Sequence, residues 1–570
     1  MHIASFLLLA VASGQRLAYV TSTDGVLSLH SGAAPSSGVL AWASYDAAIN
    51  RTGWSFLSVS ANASEPNATL ASYAAGILEG FLTNAELAGY TANTGGAEPN
   101  SNKLAKFLEK NTAWMRAQVA ASAGSDPYWA HVEAVLAQVQ GLHEGQLLAG
   151  GSLSAATIYQ NLLNGGDMFN LAPLYGASHQ QLLRTPRLAR AAQRGRADHC
   201  SALVRLTPGS RDILVSHTTW SGFESLGRAV KRYDLALAGV TGQPVPGRFT
   251  LLSGYPGLLQ YSSDDIYVLG PSALVTLETT IDNDNATLAE QYASHEVVLE
   301  WLRNILANRL ASSGSSWAQT FSRYASGTYT NQWMVLDSKL FTPGTPPPPH
   351  TLTVLEEMPG HIRVADRTAS LSGGSSWGGG VWASYNVVSD PYLFNISGQQ
   401  ALVEQYGGPQ GPGAFFTYLN TSRANIFRRD SGAVATVASM AHLMRSNSYK
   451  TDPLARLGCG SSPPSSATNA IADRSDLNPK KGDYKISDLG HGDSAAIDAK
   501  VVALSWLTRA RAEAGDLAMV VQSGPTVTDS CPVFSFSAGS VKAAHEGYPD
   551  TYDFGWYQVS GNMNITEIAL

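Results

Sequence analysis

DHCSALV, at residues 198–204, and SHTTW, at residues 216–220, are the two runs that frame the centre of this chain. Cys200 is one of three cysteines, and apolar residues alternate from it to Leu206. A turn signal at Pro208 separates this alternation from the second apolar run. The pattern predicts a β-hairpin with a cysteine at the first position of its first strand.

The segment before the cysteine, residues 184–199, is rich in arginine and carries one acidic residue, Asp198. Such a run is typical of an exposed loop, and exposed loop tips are preferred sites of proteolysis. A cut between His199 and Cys200 would place an α-amino group, with a pKa of about 8, on the residue that carries the thiol. That amine can take the thiol proton, so the pattern allows an N-terminal nucleophile. A cysteine of an ordinary core is the other interpretation.

The composition is that of a globular protein. Of the 570 residues, 44% are hydrophobic and 14% are charged, below the roughly 25% charged residues of typical soluble domains. The net charge of −7 argues against nucleic-acid binding, which requires a clustered basic surface. The sequence has no HExxH, CxxC or phosphate-cradling glycine motif, so we predict no metal or organic cofactor.

The first 14 residues, with an apolar core followed by small residues, predict a secretory signal peptide; a buried helix is the alternative. No later stretch reaches the ~20 apolar residues of a transmembrane helix, so we expect a soluble mature protein. Seven Asn-x-Ser/Thr acceptors favour a glycoprotein carrying N-glycans. They lie at Asn50, Asn62, Asn67, Asn285, Asn395, Asn420 and Asn564.

Hydrophobic periodicity divides the chain into strand-like and helix-like parts. Short apolar runs between Leu17 and Val59 predict strands. Apolar residues at intervals of three and four between Ala71 and Leu148 predict helices, and the same spacing predicts a helix between Ser221 and Tyr233.

Ordered motifs along the whole chain resemble those of the phospholipase B-like family, whose lysosomal and secreted members belong to the N-terminal nucleophile hydrolases. The resemblance begins with residues 200–204 and 212–220. The further matching segments are TGW at 52–54, GFLT at 80–83, YPG at 255–257, SGTYTNQWMVLD at 326–337, SYNV at 384–387, IFRRD at 426–430 and SGPTV at 523–527. On these residues the chain is identified as a member of that family.

The resemblance implies an α/β protein of layered α+β type, the αββα sandwich of the N-terminal nucleophile hydrolases. One composite domain would follow the signal peptide (1–14). Its parts would be an N-terminal chain (15–199), ending in the basic processing linker (184–199), and a C-terminal catalytic chain (200–570). We expect the two chains to stay associated, because the helices before the cut need a core against which to bury their apolar faces.

The resemblance also implies roles for individual residues. They are Cys200 as the nucleophile, His217 and Trp220 as pocket residues, Asn331 as the donor to the developing oxyanion, and Arg428 or Arg429 as the group that holds a carboxylate or phosphate. The supporting residues have alternative interpretations as a hydrogen-bonded histidine, a core tryptophan, a turn asparagine and salt-bridged arginines.

The function that follows is hydrolysis through a thioester acyl-enzyme. The expected protein is a secreted or lysosomal hydrolase that deacylates phospholipids or related acyl esters and amides, with a lipid or acyl-amide substrate. An amidase acting on N-acyl substrates is one alternative. A non-catalytic lipid-binding glycoprotein is the other, and an uncut chain with an inert Cys200 would favour it.

Two features depart from the family pattern. Near Asp452, where family members carry a pair of cysteines, this chain has only Cys459, and Cys531 stands much further along, so the disulfide pattern is left open. The glycine-rich run at 372–380 is also enlarged.

That glycine-rich run contains a rival nucleophile motif, G-x-S-x-G at residues 374–378, followed by Asp493 and His545 in the order of an α/β-hydrolase triad. The strand and helix that must flank such a nucleophile are missing from the pattern. A flexible loop is therefore the favoured interpretation.

Overall fold

The structure is a computed structural model. It describes residues 3–4, 15–23, 25–62, 67–95, 102–176, 200–240, 242–261, 265–372, 379–539, 541–561 and 563–570. The predicted basic linker, the G-x-S-x-G motif and all of the predicted signal peptide except residues 3–4 lie outside the described residues.

The described strands are mostly short and buried, and they fall into three sheets. They are β1 (Ile3–Ala4), β2 (Gln15–Thr23), β3 (Val26–Ser31), β4 (Val39–Asp46), β5 (Trp54–Ala61), β6 (Cys200–Leu206), β7 (Ile213–Gly222), β8 (Arg228–Leu235), β9 (Phe249–Gly254), β10 (Ile266–Gly270), β11 (Leu274–Thr280), β12 (Asn331–Asp337), β13 (Leu352–Met358), β14 (His361–Asp366), β15 (Val381–Ser384), β16 (Ser494–Ala496), β17 (Asp498–Ala503), β18 (Ala518–Ser523), β19 (Phe534–Ser535), β20 (Thr551–Tyr552), β21 (Trp556–Ser560) and β22 (Asn564–Ile568).

The α-helices gather before β6 and on the outer faces of the sheets. They are α1 (Ile49–Thr52), α2 (Ala68–Leu82), α3 (Asn84–Thr94), α4 (Asn102–Ser122), α5 (Pro127–Leu148), α6 (Ala155–Asn164), α7 (Met168–Leu174), α8 (Ala286–Gln291), α9 (Glu300–Leu310), α10 (Gly314–Phe321), α11 (Thr368–Leu371), α12 (Pro391–Ile396), α13 (Gln399–Gln405), α14 (Ser422–Asp430), α15 (Val437–Met444) and α16 (Arg509–Glu513). Among these helices none has the length and apolarity needed to cross a bilayer.

Two large sheets form the centre of the protein. The order of the first is β1-β3-β2-β4-β5-β8-β9-β10-β11-β12-β13-β14, and the order of the second is β15-β6-β7-β17-β18-β21-β22, with β16 paired to β7. An apolar core with residues such as Val204, Val215, Val230 and Leu251 lies between them. Two hydrophobic sheet faces that pack in this way are the usual basis of a layered domain.

Helices cover the outer face of each sheet. Residues of α2 and α10, such as Ile77 and Trp317, pack with the outer face of the first sheet. Phe427 of α14 and Met440 of α15 pack with the outer face of the second. Helix, sheet, sheet and helix follow one another. The prediction of a mixed α+β fold is confirmed, and the assignment to the αββα sandwich of the N-terminal nucleophile hydrolases stays a prediction.

The sequence before residue 199 and the sequence after it share the first sheet. Strand β5 pairs in parallel with β8, from Trp54 opposite Arg228 to Ala61 opposite Leu235. Glu79 of α2 also forms a buried ion pair with Lys231 of β8. Both predicted chains therefore contribute to one core.

The predicted hairpin, the strands before residue 60 and the helices between Ala71 and Leu148 are confirmed, but the predicted helix between Ser221 and Tyr233 is wrong. Strand β7 continues to Gly222, and β8 begins at Arg228 in the middle of the first sheet. Since β8 is almost entirely buried on both faces, it lacks the polar alternation of a half-exposed strand.

Candidate active site

Cys200 opens β6 and is fully buried. Its partner in β7 is Thr219, and Ala202 of β6 pairs with His217. Ala202 and Val204 belong to the core between the sheets. Because side chains alternate along a strand, Cys200 points to this same inter-sheet side.

Asn386 and Arg423 hold the two backbone groups of Cys200. The Cys200 N–H donates to Oδ1 of Asn386 at 3.0 Å, and the Cys200 carbonyl accepts a hydrogen bond from Nη1 of Arg423 at 2.5 Å. The same Nη1 donates to Oδ1 of Asn386 at 2.9 Å. An amide oxygen and a guanidinium thus fix the residue whose nitrogen a cut before Cys200 would expose.

Asn386 follows β15 in an uncommon backbone conformation, with φ = 70°. Asparagine tolerates this left-handed region better than most residues. Its Nδ2 donates to the carbonyl of Thr280, the last residue of β11, at 2.7 Å. The contacts on both ends of the amide fix its orientation and leave Oδ1 facing Cys200. Residues held in such conformations cluster at functional sites.

Arg423 reaches the site from the first turn of α14, whose N-cap is Thr421. Its Nη2 donates to the carbonyl of Tyr385 at 2.7 Å. The guanidinium lies over the Trp220 ring, 4.4 Å from the ring centroid, and Trp220 Nε1 donates to the carbonyl of Ile471 at 3.2 Å. Trp220 therefore supports the arginine by a cation–π contact.

His217 is fully buried on β7, opposite Lys500 of β17. Its imidazole lies against the backbone carbonyl of Glu278. Burial lowers the pKa of His217 well below its ordinary value, and the Lys500 ammonium lowers it further. Its surroundings therefore favour the neutral imidazole in the folded protein.

Beside His217 lies a group of four buried charges, the ionic cluster of Arg228, Asp265, Asp498 and Lys500. Arg228 pairs with Asp265 and, at 2.8 Å, with Asp498. Lys500 Nζ donates to Oδ1 of Asp498 at 2.6 Å and lies 3.0 Å from Oδ1 of Asp265. All four side chains are fully buried.

The ionic cluster bridges the two sheets. Arg228 starts β8 and Asp265 directly precedes β10 in the first sheet, whereas Asp498 and Lys500 belong to β17 in the second. Burial raises the pKa of Asp265, but the Arg228 and Lys500 cations outweigh this effect and bring it below its ordinary value. Two positive and two negative groups therefore balance one another.

Asn331, the predicted oxyanion donor, is buried at the start of β12. Its Nδ2 donates to the carbonyl of Tyr329 at 2.9 Å. In the sheet it pairs with Thr280, the residue whose carbonyl accepts from Asn386. Asn331 thus lies near the Asn386 end of the site, and its role stays a prediction.

The predicted arginines lie on α14 but on a different side from Arg423. Arg428 donates to Oδ1 of Asn425 at 2.6 Å and to the carbonyl of Leu419 at 2.7 Å. Arg429 pairs with Asp430 and, at 2.8 Å, with Asp452. At 100° per residue, five positions rotate a side chain by about 140° around the helix. The arginine that contacts Cys200 is therefore Arg423.

A small cavity adjoins the residues that contact Cys200, and a larger cavity lies next to the small one. A cavity of ≈ 20 Å³ is lined by Trp220, Asn386, Arg423 and Asn469, among other residues, which is room for about one water molecule. Asn469 also lines a cavity of ≈ 550 Å³ between α14 and α15. The larger volume lies in the range of sites that take small ligands.

Sequence reasoning did not select Asn386 or Arg423. Asn386 stands in the SYNV motif quoted above, and Arg423 stands three residues before the IFRRD motif. The signals that were available were an asparagine shortly after the apolar run at 381–383 and an arginine just after a possible helix N-cap, Thr421.

The other two cysteines, and the Asp493 and His545 of the rival triad, have contacts of their own. Cys200, Cys459 and Cys531 all lie in the described part of the chain, and no disulfide joins them there. Asp493 lies 3.5 Å from His491, whereas His545 stacks on Phe536 with the ring centroids 3.9 Å apart.

Comparison with known proteins gives one consistent family. A sequence profile described as Phospholipase B matches residues 41–559. "Putative phospholipase B-like 2" of Rattus norvegicus is 38% identical over 561 residues, which are 95% of this chain and 90% of the rat protein. The Homo sapiens protein of the same name is 38% identical over 96% of this chain and 90% of its own length. "Phospholipase B-like protein E" of Dictyostelium discoideum is 32% identical over 92% and 91%.

These matches cover nearly the whole chain, including the hairpin of β6 and β7, Asn386 and Arg423. The chain therefore belongs to the phospholipase B-like family. Its membership supports a hydrolase of the phospholipase B-like type as the general class.

Proposed function

We propose that this protein is a secreted or lysosomal hydrolase whose nucleophile is Cys200, exposed as an N-terminal residue by cleavage after His199. Its substrates are phospholipids or related acyl esters and amides. The observation that carries the proposal is the pair of hydrogen bonds that fix the backbone of Cys200. Asn386 and Arg423 bind both its N–H and its carbonyl at the first position of a buried strand. Buried backbone groups always need partners, and what sets Cys200 apart is that two side chains from distant segments, at 186 and 223 positions along the chain, supply them.

The contacts around the nitrogen of Cys200 suit a base. Once that nitrogen is an amine, Oδ1 of Asn386 accepts one of its protons and directs its lone pair away from the amide. The Arg423 guanidinium hydrogen-bonds the same Oδ1. A second positive charge so close to a cation is disfavoured, so the amine stays neutral to lower pH than a free terminus. Such an amine can act as a base in an acidic compartment.

The reaction follows from this arrangement. The amine takes the thiol proton, and the sulfur attacks the carbonyl carbon of the acyl group, forming a C–S bond. When the tetrahedral intermediate collapses, the ammonium returns the proton to the leaving alcohol or amine. The amine then deprotonates a water molecule, which attacks the thioester and releases the acid and the thiol.

The remaining side chains have supporting roles in this proposal. Trp220 holds the Arg423 guanidinium in place, and the neutral His217 adds no charge that would compete with the amine. Asn331 is the proposed oxyanion donor. The ≈ 550 Å³ cavity, which shares Asn469 with the small cavity beside Trp220 and Arg423, offers space for part of a substrate.

Two further features support the proposed maturation. The parallel pairing of β5 with β8 would hold the two chains together after cleavage. The seven glycosylation acceptors are all exposed or partly exposed, as N-glycans at these sites require. A signal peptide at residues 1–14 and a processing linker at 184–199 complete the proposal.

The experiment compares wild type with Cys200→Ala by intact mass and N-terminal sequencing after incubation at acidic pH. We expect a new N-terminus, Cys200-Ser201-Ala202, in the wild type only. Cys459→Ala, which removes a thiol whose hydrogen bonds go to the carbonyls of Ala455 and Leu457, should be cut like wild type. A wild type that stays whole, or that is cut only at scattered arginines, would overturn the proposal in favour of a lipid-binding glycoprotein.

Activity is tested on the cleaved protein with phospholipids and with N-acyl amides. Release of fatty acid by wild type but not by Cys200→Ala is expected at acidic pH. If only the amides are cleaved, the enzyme is an amidase that uses the same nucleophile.

A further inference from the structure

The proposed mechanism assigns no role to the ionic cluster next to His217. Taking two ion pairs out of water is costly, and apolar side chains of similar volume often stabilise a protein as well. One contact of the ionic cluster leads toward the nucleophile. Lys500 Nζ donates to Oγ1 of Thr219 at 2.7 Å, and Thr219 is the residue directly opposite Cys200.

We propose that Thr219 is a catalytic residue, held by Lys500 so that its hydroxyl donates to the sulfur of Cys200 and stabilises the thiolate. Lys500 is the positioning residue that acts through it. The proposal rests on the proposed function, since it takes Cys200 as the nucleophile.

The first step of the argument is the register of the hairpin. Cys200 and Thr219 are directly paired, and both stand on the side of the hairpin that carries Ala202, Val204 and Val215 into the inter-sheet core. Directly opposed side chains in an antiparallel pair have Cβ atoms about 4.5–5.5 Å apart. A threonine oxygen is therefore within reach of the cysteine sulfur.

The second step is the direction of the hydroxyl proton. A lysine ammonium has three donors and no acceptor, and Lys500 directs them to Asp498, Asp265 and Thr219. Oγ1 of Thr219 accepts from Lys500, so its own proton must point to another acceptor. The backbone N–H of Thr219 donates to Oδ1 of Asp498 at 3.0 Å. The residue is thus held at two points.

The third step concerns charge. The groups that face this region are Arg423 from α14, His217 from β7, Asp498 and Lys500 from β17, and Arg228 and Asp265 from the first sheet. The buried Arg445, which follows α15, also interacts with Asp498. The ionic cluster is balanced and His217 is neutral, so together they bring little net charge to the sulfur. A hydrogen bond donated to the ionised form is the remaining way in which they can favour a thiolate.

The test is a pH titration of the Cys200 thiolate by its ultraviolet absorbance, with the signal of Cys200→Ala subtracted to remove Cys459 and Cys531. In Thr219→Val, which keeps the shape of the side chain, the midpoint should rise by about one pH unit, a tenfold loss of thiolate at fixed pH. Thr219→Ser keeps a hydroxyl and should restore the wild-type midpoint. Thr219→Ala replaces the valine variant if that form does not fold.

Thr218→Val is the matched control. Thr218 is the next residue of β7, and its Oγ1 donates to the backbone carbonyl of Asp498 at 2.5 Å, on the face away from Cys200. It should titrate like wild type. The proposal is overturned if Thr219→Val leaves the midpoint unchanged, if Thr218→Val shifts it equally, or if the serine variant behaves like valine.

The titration needs neither a cut chain nor a substrate. A shifted midpoint in a protein that is never cleaved would therefore overturn the proposed function alone. Normal cleavage and hydrolysis with an unshifted midpoint would overturn the role of Thr219 alone.

Discussion

Two fully buried lysines, Lys231 and Lys500, stand in different surroundings. Lys231 donates to Oε1 of Glu79 at 2.8 Å and to the carbonyl of Leu259 at 3.0 Å, and the other oxygen of Glu79 accepts from Tyr233 at 2.6 Å. Every one of these contacts ends within α2, β8 and the neighbouring loop, between a helix and the first sheet. Lys500 lies between the sheets and contacts the residue opposite Cys200.

The ion pair of Lys231 with Glu79 only joins two parts of the chain. The ionic cluster around Lys500 also contacts Thr219, the residue opposite Cys200. Glu79 precedes the proposed cut and Lys231 follows it, so their pair joins the two chains. All four residues of the ionic cluster follow the cut. Lys500 directs two of its three N–H donors to Asp265 and Asp498 within the cluster and the third to Thr219 outside it. We expect both lysines to matter for stability and only Lys500 to matter for Cys200.

The largest expected effect follows from Lys231→Met. It would leave the Glu79 carboxylate buried without its cation and lower the free energy of unfolding by about 3–5 kcal/mol. Denaturant unfolding measures the loss. The double variant Lys231→Met, Glu79→Leu should recover most of it, because no charge is then left uncompensated. A single variant as stable as wild type would contradict the comparison.

Lys500→Met should cost a similar amount of stability, because Asp265 and Asp498 would share a single cation, Arg228. It should also raise the midpoint of the Cys200 thiolate titration, since Thr219 would lose the donor that holds it. Lys231→Met should leave that midpoint at the wild-type value. Equal shifts in the two variants would remove the distinction between the two lysines.

Two buried histidines, His131 of α5 and His217 of β7, lower the stability of the protein in acid. Burial, and after it Arg309, lowers the pKa of His131 to about 3; burial and Lys500 lower the pKa of His217 well below its ordinary value. Below pH ~6.5 the unfolded chain binds protons that the folded protein does not, so stability falls as the pH falls. Each histidine should contribute up to about 1.4 kcal/mol per pH unit.

Unfolding of His131→Gln and His217→Gln between pH 6 and 4 tests this linkage. Each substitution should flatten the acid loss by its own share, and the double variant by the sum. A slope unchanged from wild type would show that the imidazole is protonated in the folded protein.

The smallest expected effect is that of Arg428→Ala. Arg428 lies on α14, in the helical layer, away from the contacts of Lys231 and of Lys500. Its contacts to Asn425 and Leu419 are local and partly exposed, so stability should change by no more than about 0.5 kcal/mol. Cleavage before Cys200 should be unaffected. Arg423→Ala is the matched variant on the same helix and should slow cleavage at least tenfold. A large effect of Arg428→Ala would restore the predicted role of that residue.

The sequence predicted what depends on neighbouring residues. The hairpin from Cys200 to Trp220 follows from local alternation and a turn, and both are confirmed. The helix predicted between Ser221 and Tyr233 was wrong because Phe223, Leu226, Val230 and Tyr233 happen to recur at helical spacing, while burial on both faces hides the period of β8.

The supporting residues of the site were beyond this kind of reasoning. Asn386 and Arg423 meet Cys200 across 186 and 223 positions of the chain, so no local period connects them. Arg423 and Arg428 are the same type of residue on one helix, and only the rotation of the helix distinguishes them. Tertiary packing decides which of the two faces the site.

The position of β5 in the middle of the first sheet has a consequence for refolding. In the uncut chain, β5 and β8 find each other within one molecule, at a high effective concentration. After a cut before Cys200, the same sheet could form again only when two separate chains meet, at a rate that depends on their concentration. We therefore expect the precursor to regain its structure after dilution from denaturant, whereas the mature protein, once its chains have separated, does not.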